Sequence, residues 1–504
     1  MSSGEQIYLD YAATTPVDPQ VAACMIECLG AESTFGNPAS MHSYGRAARA
    51  RVEAARAQVA ALIGARPPEV IFTSGATEAD NLAILGIVRA ARAVRGAALP
   101  HVITARTEHK AVLDPCRQLE REGVSVTYLS PHPEGRILPE QLREALRPET
   151  ILVSLMHANN ETGAVQDVAA FGALCRAHGA ALHVDAAQSA GKLPIDVSAM
   201  GIDLLSFTAH KLYGPKGIGA LYVQASRRVT VQPLMFGGGH ERGLRSGTLP
   251  VHQIVGFGAA CQLASGLMGS ESARQGELRA RLWAGVGDLP GALLNSPPAH
   301  CLPGILNVSF SGIEGESLLF GLAELALASG SACNSDSDEP SYVLRALGRD
   351  RETAQSSLRF SLGRATSLAD IDRAAAAVRR EVSRLRAAAS AKADACAVSG
   401  EAGSREQGTW VRFMLHPSGE YIEQASHQVY GCPATQAVCE WLVGQLRGRS
   451  WRHPGLGGPQ EWARALELPL DRLTRLLVVE DALRAALAAA QRQADGGSTM
   501  AARG

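Results

Sequence analysis

Hydrophobic and polar positions along the chain follow two alternating rhythms. From about residue 50 to 225, Ala-rich stretches with apolar residues every three or four positions, such as 47–63, give way to short apolar runs such as Val70-Ile71-Phe72-Thr73. A 3.6-residue rhythm predicts amphipathic helices, and the short runs predict buried strands. Their alternation predicts an α/β fold on a mainly parallel sheet. Further strand-like runs fall at 101–104, 124–129, 150–156, 181–184 and 204–207, each closed by a polar or Gly-containing turn. Ligands in such sheets gather beyond the carboxyl ends of strands, so the residues just after these runs are the ones to read for chemistry.

Between 262 and 386 the rhythm shifts to long helical stretches around strands at 305–310 and 357–362, ending in a helical run at 368–386. This predicts a second, smaller α+β domain. Residues 387–408 carry Ala, Ser, Gly and charge without apolar periodicity, the composition of a flexible linker. After it the chain alternates like strands as far as Tyr430 and then reads as two helices. The expected division is therefore a large domain with an N-terminal arm (1–260), a small domain (261–386), a linker (387–408), an α+β module (409–493) and a frayed tail (494–504).

Composition narrows the function classes. At 504 residues with 46% hydrophobic and 19% charged positions, the chain is that of a multidomain globular protein. Lys plus Arg number 48 against 49 for Asp plus Glu, so no bulk positive field exists to hold nucleic acid. Residues 289–313 lack charge but contain four prolines, which a membrane-spanning helix would not use. The first seven residues carry Glu5 and no base, which predicts a cytoplasmic protein without a targeting segment. Ten cysteines are scattered without any CxxC, so neither a disulfide framework nor a metal site is expected.

Three features at expected strand ends carry chemistry. Ser74-Gly75-Ala76-Thr77-Glu78 follows a strand and opens a helix, where free backbone N–H groups and the positive dipole end suit a phosphate. Asp185 follows the run 181–184, with Gln188 three residues on, and Lys211 follows Ser206-Phe207-Thr208-Ala209-His210. Taken singly, these are ordinary helix caps and a surface lysine. Together they supply what pyridoxal 5'-phosphate requires: an anion cup, a charge partner for the ring nitrogen and an amine to bind the aldehyde. Lys211 is preferred over Lys216 because Thr208 and His210 flank it, whereas Lys216 lies in a Pro/Gly turn.

Tyr8-Leu9-Asp10-Tyr11-Ala12-Ala13-Thr14-Thr15, Phe35-Gly36-Asn37-Pro38, the 74–78 segment, Thr107-Glu108-His109-Lys110, Asn159-Asn160-Glu161, Val184-Asp185-Ala186-Ala187-Gln188 and Ala209-His210-Lys211 resemble, in order and spacing, the cysteine desulfurases of the class V pyridoxal-phosphate enzymes. The resemblance covers about residues 7–386 and implies a fold-type I architecture. It also implies that Ala76, Thr77, Thr208 and His210 surround the phosphate, that Asp185 contacts the pyridine nitrogen and Gln188 the phenolic oxygen, that Asn160 lies by the ring and that His109 covers its face. Gly237 to Gly239 and Arg245-Ser246-Gly247-Thr248 match the segment that crosses a homodimer, which would bring Thr248 to the neighbour's cofactor.

Ser329-Gly330-Ser331-Ala332-Cys333-Asn334-Ser335-Asp336-Ser337 is a run of small polar residues around one cysteine, expected as an exposed mobile loop. By the same resemblance Cys333 is the nucleophile that takes sulfur from L-cysteine as a persulfide, while Arg359 with Asn37 grips the substrate carboxylate. The product would be L-alanine, and the sulfur would supply iron–sulfur cluster assembly. The alternatives are transamination or selenocysteine lyase chemistry on the same cofactor, or an assembly platform that mainly presents sulfur to partner proteins.

In the last module, His427-Gln428-Val429-Tyr430-Gly431-Cys432-Pro433 and Leu466-Glu467-Leu468-Pro469 resemble the U-type iron–sulfur cluster scaffold. Of that family's three cysteines only Cys432 aligns, and Thr474-Arg475 stands where the scaffold has His-Cys. Cys439, seven residues on, would lie about 10 Å from Cys432 along one helix. The resemblance therefore leaves two roles open, Cys432 as a sulfur acceptor or a degenerate docking domain without a cluster.

Overall fold

In the computed structural model, residues 6–95, 100–225, 229–297, 299–329, 339–390 and 397–501 are described. The chain enters as a short strand, β1 (Ile7–Tyr8), and then builds a seven-stranded sheet. Its strands are β2 (Val70–Thr73), β3 (His101–Ala105), β4 (Ser125–Leu129), β5 (Thr150–Ser154), β6 (Ala181–Asp185), β7 (Leu204–Thr208) and β8 (Gly219–Val223), in the order β2-β8-β7-β6-β5-β3-β4. Only β8 runs antiparallel to its neighbours. Strands β2, β5, β6, β7 and β8 are buried along their whole length, which explains their unbroken apolar runs in place of alternation.

Register places the chemistry. Thr73 of β2 and Thr208 of β7 both pair with Gly219 of β8, and Asp185 of β6 pairs with Ser206 of β7. The segments following β2, β6 and β7 therefore emerge along one edge of the sheet. Gly219 permits this closeness, since a Cβ there would fall 2.6 Å from the Phe207 carbonyl oxygen and 2.7 Å from the Gly75 Cα.

The small domain contains β9 (Ala292–Leu294), β10 (Ile305–Phe310), β11 (Leu325–Ala326), β12 (Ala328–Ser329) and β13 (Ser357–Ser361). Four of these form an antiparallel sheet in the order β12-β13-β10-β9, while β11 pairs with β1. The helix Val251–Val286 runs through residue 260 without a break. Its first three turns, to Cys261, belong to the core of the large domain, and Leu278, Leu282 and Val286 belong to that of the small domain. The transition between the two domains thus lies within one continuous helix.

The last module is a three-stranded antiparallel sheet, β14 (Val398–Ser404), β15 (Thr409–Ser418) and β16 (Tyr421–Tyr430), covered by the helices Pro433–Leu446, Pro459–Ala465 and Leu473–Ala501. Three sequence expectations change here. The helix beginning at Leu368 continues to Ser390, and 398–404 is a full edge strand, so the linker expectation for 387–408 does not hold along that stretch. The last helix passes residue 493 and runs to Ala501 where a frayed tail was expected. A third helix, Pro459–Ala465, joins the two predicted ones. No helix among the described residues is long and apolar enough to cross a membrane.

Candidate active site

The sheet edge opens onto a cleft of about 590 Å³ lined by Ser74 to Thr77, Asp80, His109, Asn160, Asp185, Gln188, Thr208, His210 and Lys211, with Arg359 reaching in from the small domain. The loop after β2 starts the helix Ala76–Arg95. Thr77 is exposed to the cleft, and Glu78 ties the loop down by accepting from the Ser74 N–H at 2.6 Å and from Arg245 Nε at 2.9 Å. Burial opposes the Glu78 charge, but Arg245 and Ser74 outweigh it and hold its pKa below the ordinary value.

Asp185 ends β6 as a buried carboxylate whose Oδ1 accepts from the Ala187 N–H at 2.8 Å. Lys211 closes the short 3-10 turn Ala209–Lys211 after β7. The Thr208 hydroxyl donates to the Ile218 carbonyl at 3.2 Å. His210 Nδ1 lies 3.1 Å from the Thr14 hydroxyl, and burial together with Lys211, Lys216 and Lys192 lowers its pKa to about 4. His210 is therefore neutral at physiological pH. His109 caps the helix Lys110–Arg121 by accepting the Ala111 N–H on Nδ1 at 3.1 Å. With Nδ1 so used, the neutral ring carries its proton on Nε2 and offers a hydrogen-bond donor. Burial lowers the His109 pKa, Asp185 opposes this and Lys211 adds to it.

Arg359, on β13, is buried and already engaged: Nη2 meets Asp10 at 2.7 Å and Nη1 donates to the Asn160 carbonyl at 2.9 Å. Asp10 is held there because the N-terminal arm bridges to β13 at Ser361. Behind the cleft, Glu108 Oε1 accepts from the Met156 N–H at 2.9 Å, and burial raises the pKa of Glu108 far above the carboxylate range. Asp80 sits 3.5 Å from His183 Nε2 without hydrogen-bond geometry; burial first, and then the charge of Asp185, raise its pKa as well.

The expected pocket is thus assembled from Ala76, Thr77, His109, Asn160, Asp185, Gln188, Thr208, His210, Lys211 and Arg359. Two expected members lie elsewhere in the single chain. Asn37 is exposed, accepts the Ala39 N–H at 3.0 Å and lines a separate cavity beside Arg56 and Glu241, so this chain does not bring it to Arg359. Thr248 is exposed and outside the cleft lining. Cys333 lies outside the described residues. Sequence reasoning missed Asp10, Asp80, Glu108 and Lys192. Asp10 and Glu108 stood inside recognised motifs, but no spacing signal joins residue 10 to residue 359.

The residues fit pyridoxal phosphate. Asn160 Oδ1, Arg359 Nε and both Asp80 carboxylate oxygens are buried around the cleft without hydrogen-bond partners, beside a helix N-terminus, a strand-end carboxylate and a lysine. A polar cleft with unspent donors and acceptors is built for a polar, charged occupant.

The family description "Aminotransferase class-V" matches residues 7–374. The chain belongs to that family. Its relatives place it on the cysteine desulfurase branch: it is 57% identical over 381 residues to "Cysteine desulfurase IscS" of Pectobacterium atrosepticum, covering 75% of this chain and 93% of the relative. Among solved structures, a "NifS-like protein" superposes with a TM-score of 0.69 at 35% identity, covering 75% of this chain and all of that one. "SspA in complex with cysteine" gives 0.63 at 39% identity, covering 71% and 98%. The family match covers the large mixed sheet and most of the small domain and stops short of the C-terminal module.

Proposed function

We propose that this desulfurase converts L-cysteine to L-alanine and carries the sulfur away as a persulfide on Cys333. The observation that carries the reading is the convergence, at one sheet edge, of a helix N-terminus, the Asp185 carboxylate and Lys211, facing Arg359 across the domain junction. Ala76, Thr77, Thr208 and His210 would hold the cofactor phosphate, Asp185 the ring nitrogen, Gln188 the phenolic oxygen and Lys211 the aldehyde carbon. When bound, pyridoxal phosphate supplies an electron sink that makes the substrate Cα acidic and its Cβ–S bond labile.

The chain's own residues do the rest. Arg359 binds the substrate carboxylate with a planar cation already aimed by Asp10 and by the Asn160 carbonyl. Lys211 takes the proton from Cα once its amine is released and later returns protons to the carbon skeleton. His109 holds a donor N–H at the ring face. The Cys333 thiolate attacks the substrate sulfur: an S–S bond forms, the Cβ–S bond breaks, its electron pair stays with carbon, and protonation there completes the alanine methyl group. Incubation of the protein with L-cysteine and a thiol reductant should yield alanine and sulfide in equal amounts. Cys333→Ser should retain the cofactor and its response to L-cysteine but release no sulfide, and substantial sulfide from that variant would overturn the assignment.

The exposed position of Thr248, outside its own chain's cleft, supports a homodimer in which it serves the partner's site. The C-terminal module supports the docking role over a cluster role. Cys432 and Cys439 are both buried, and burial pushes the Cys439 thiol far above its ordinary pKa. Arg475, at the position of a scaffold ligand, lies 3.5 Å from Glu316 of the desulfurase half. No group of three metal-binding side chains exists among the described residues. L-cysteine, a sulfur-acceptor or cluster-scaffold protein and a second copy of the chain are the partners this reading requires.

A further inference from the structure

Lys192 is a buried amine that none of the assigned steps uses. It lies in the turn after β6, its Nζ donates to Gln188 Oε1 at 3.3 Å, and its own carbonyl accepts from the Ser272 hydroxyl at 3.1 Å. The other end of the same amide is also fixed: Gln188 Nε2 donates to the Ala12 carbonyl at 2.9 Å. A primary amide is nearly symmetric in shape, so which end faces an occupant is decided by its partners. Here a donor holds the oxygen and an acceptor holds one N–H, which leaves the second N–H of Nε2 for the cleft that Gln188 lines.

We propose that Lys192 is a positioning residue: it locks the Gln188 amide so that its remaining N–H points at the oxyanion of the bound cofactor, and it places a proton-carrying amine directly behind that contact. This rests on the reading of Gln188 as the partner of the phenolic oxygen. Lys192 and Lys211 both line a second, smaller cavity, together with Tyr11, Tyr213, Glu271 and Arg364. The charged neighbours oppose each other. Lys211 and Arg359 disfavour a charge on Lys192, and Glu271 favours it, but Glu271 is engaged by Arg364 at 2.5 Å. Lys192 keeps some surface as a residue, yet its amine is deep in the protein, and burial followed by those two cations lowers its pKa to about 7. An amine poised in that range responds to the charge of the cleft. It gains a proton when an anion occupies the other side of Gln188 and loses it when another cation does.

The test is spectroscopic. Removing a cation from beside a titrating group raises that group's pKa, so in Lys192→Met the pH at which the bound cofactor's visible spectrum changes should rise by about one unit. Cofactor loss on dilution should be several-fold faster. Lys192→Arg, which keeps the donor and the charge, should hold the midpoint near that of the unmodified protein. Borohydride trapping and peptide mapping decide the underlying reading separately, since a cofactor found away from Lys211 sinks the site assignment itself. A cofactor on Lys211 with an unmoved midpoint in a folded Lys192→Met protein would overturn the role of Lys192 alone. If Lys192→Met does not fold, the same comparison is made with Lys192→Gln, which keeps an N–H donor but no charge, and an unmoved midpoint there overturns the proposal equally.

Discussion

Arg359 meets its substrate with two of its three nitrogens already committed, one to Asp10 and one to the Asn160 carbonyl. That arrangement spends side-chain entropy before the substrate arrives and leaves the guanidinium plane fixed. Arg359→Lys keeps the charge but loses the fork, so KM for L-cysteine should rise about tenfold or more while cofactor content is unchanged, the loss of one charged hydrogen bond being worth about 1.5–3 kcal/mol. Steady-state kinetics beside cofactor absorbance would separate the two. Lys211→Ala should abolish the yellow chromophore outright, which absorbance of the purified variant checks. Glu161 offers a pH test. Burial raises its pKa to about 7, with Ser341 and Arg359 opposing. The folded state thus holds a proton that the unfolded chain, at its ordinary value of 4.5, gives up. Stability from this group is fully present below pH 4.5 and is lost as pH rises toward 7, a difference on the order of 3 kcal/mol. Glu161→Gln should remove that part of the slope in urea unfolding measured from pH 5 to 8. At this scale the 74–78 segment, Asp185 and Lys211 were legible because an apolar run ending in a polar residue is visible locally, whereas His109 and Asn160 came only through the family resemblance. Asp10, Asp80 and Lys192 were hidden because their roles depend on contacts across 349 positions, across the sheet and through another side chain.

Elements were legible wherever burial and rhythm agreed. Strands at 70–73 and 305–310 fall where the apolar runs stand, and the helix after Leu368 begins where its rhythm begins. Strand β14 failed because its residues, Val-Ser-Gly-Glu-Ala-Gly-Ser, lack apolar alternation. Packing explains the composition. The helix Leu473–Ala501 lies directly on this strand, and a Cβ at Gly400 would fall 2.0 Å from the Ala486 nitrogen. The small residues that read as linker are those a close strand–helix contact demands. Gly400→Val should therefore force helix and strand apart, at the ~1–3 kcal/mol typical of overpacking or more. Thermal unfolding followed by Trp462, buried in the module core, should show an earlier transition while desulfurase turnover stays near that of the unmodified protein.

At the scale of the whole molecule, the decisive contact is that between the module and the helix Gly315–Gly321 of the small domain. Arg472 meets Glu316 at 2.8 Å and Arg475 approaches it at 3.5 Å; the Ser317 hydroxyl donates to the Gly431 carbonyl at 2.7 Å, and Gln436 Nε2 donates back to the Ser317 hydroxyl at 2.7 Å. Gly431 immediately precedes Cys432, whose thiol is buried 3.3 Å from the Thr435 hydroxyl. A sulfur acceptor must be open to attack, and in this docked arrangement the Cys432 side chain is buried. Two partly exposed ion pairs are worth little each, but both converge on one carboxylate, so reversing that single charge turns two attractions into two repulsions. Glu316→Arg should loosen the module, and alkylation of Cys432 by a small thiol reagent, read by peptide mass spectrometry, should be several-fold faster than in the unmodified protein at pH 8. Added salt should narrow the difference, since screening weakens attraction and repulsion alike. Equal labelling rates would mean that Cys432 is buried by its own module, leaving only unfolding of that module as a route for sulfur to reach it. Faster labelling would make undocking the step that any transfer from Cys333 to Cys432 has to wait for.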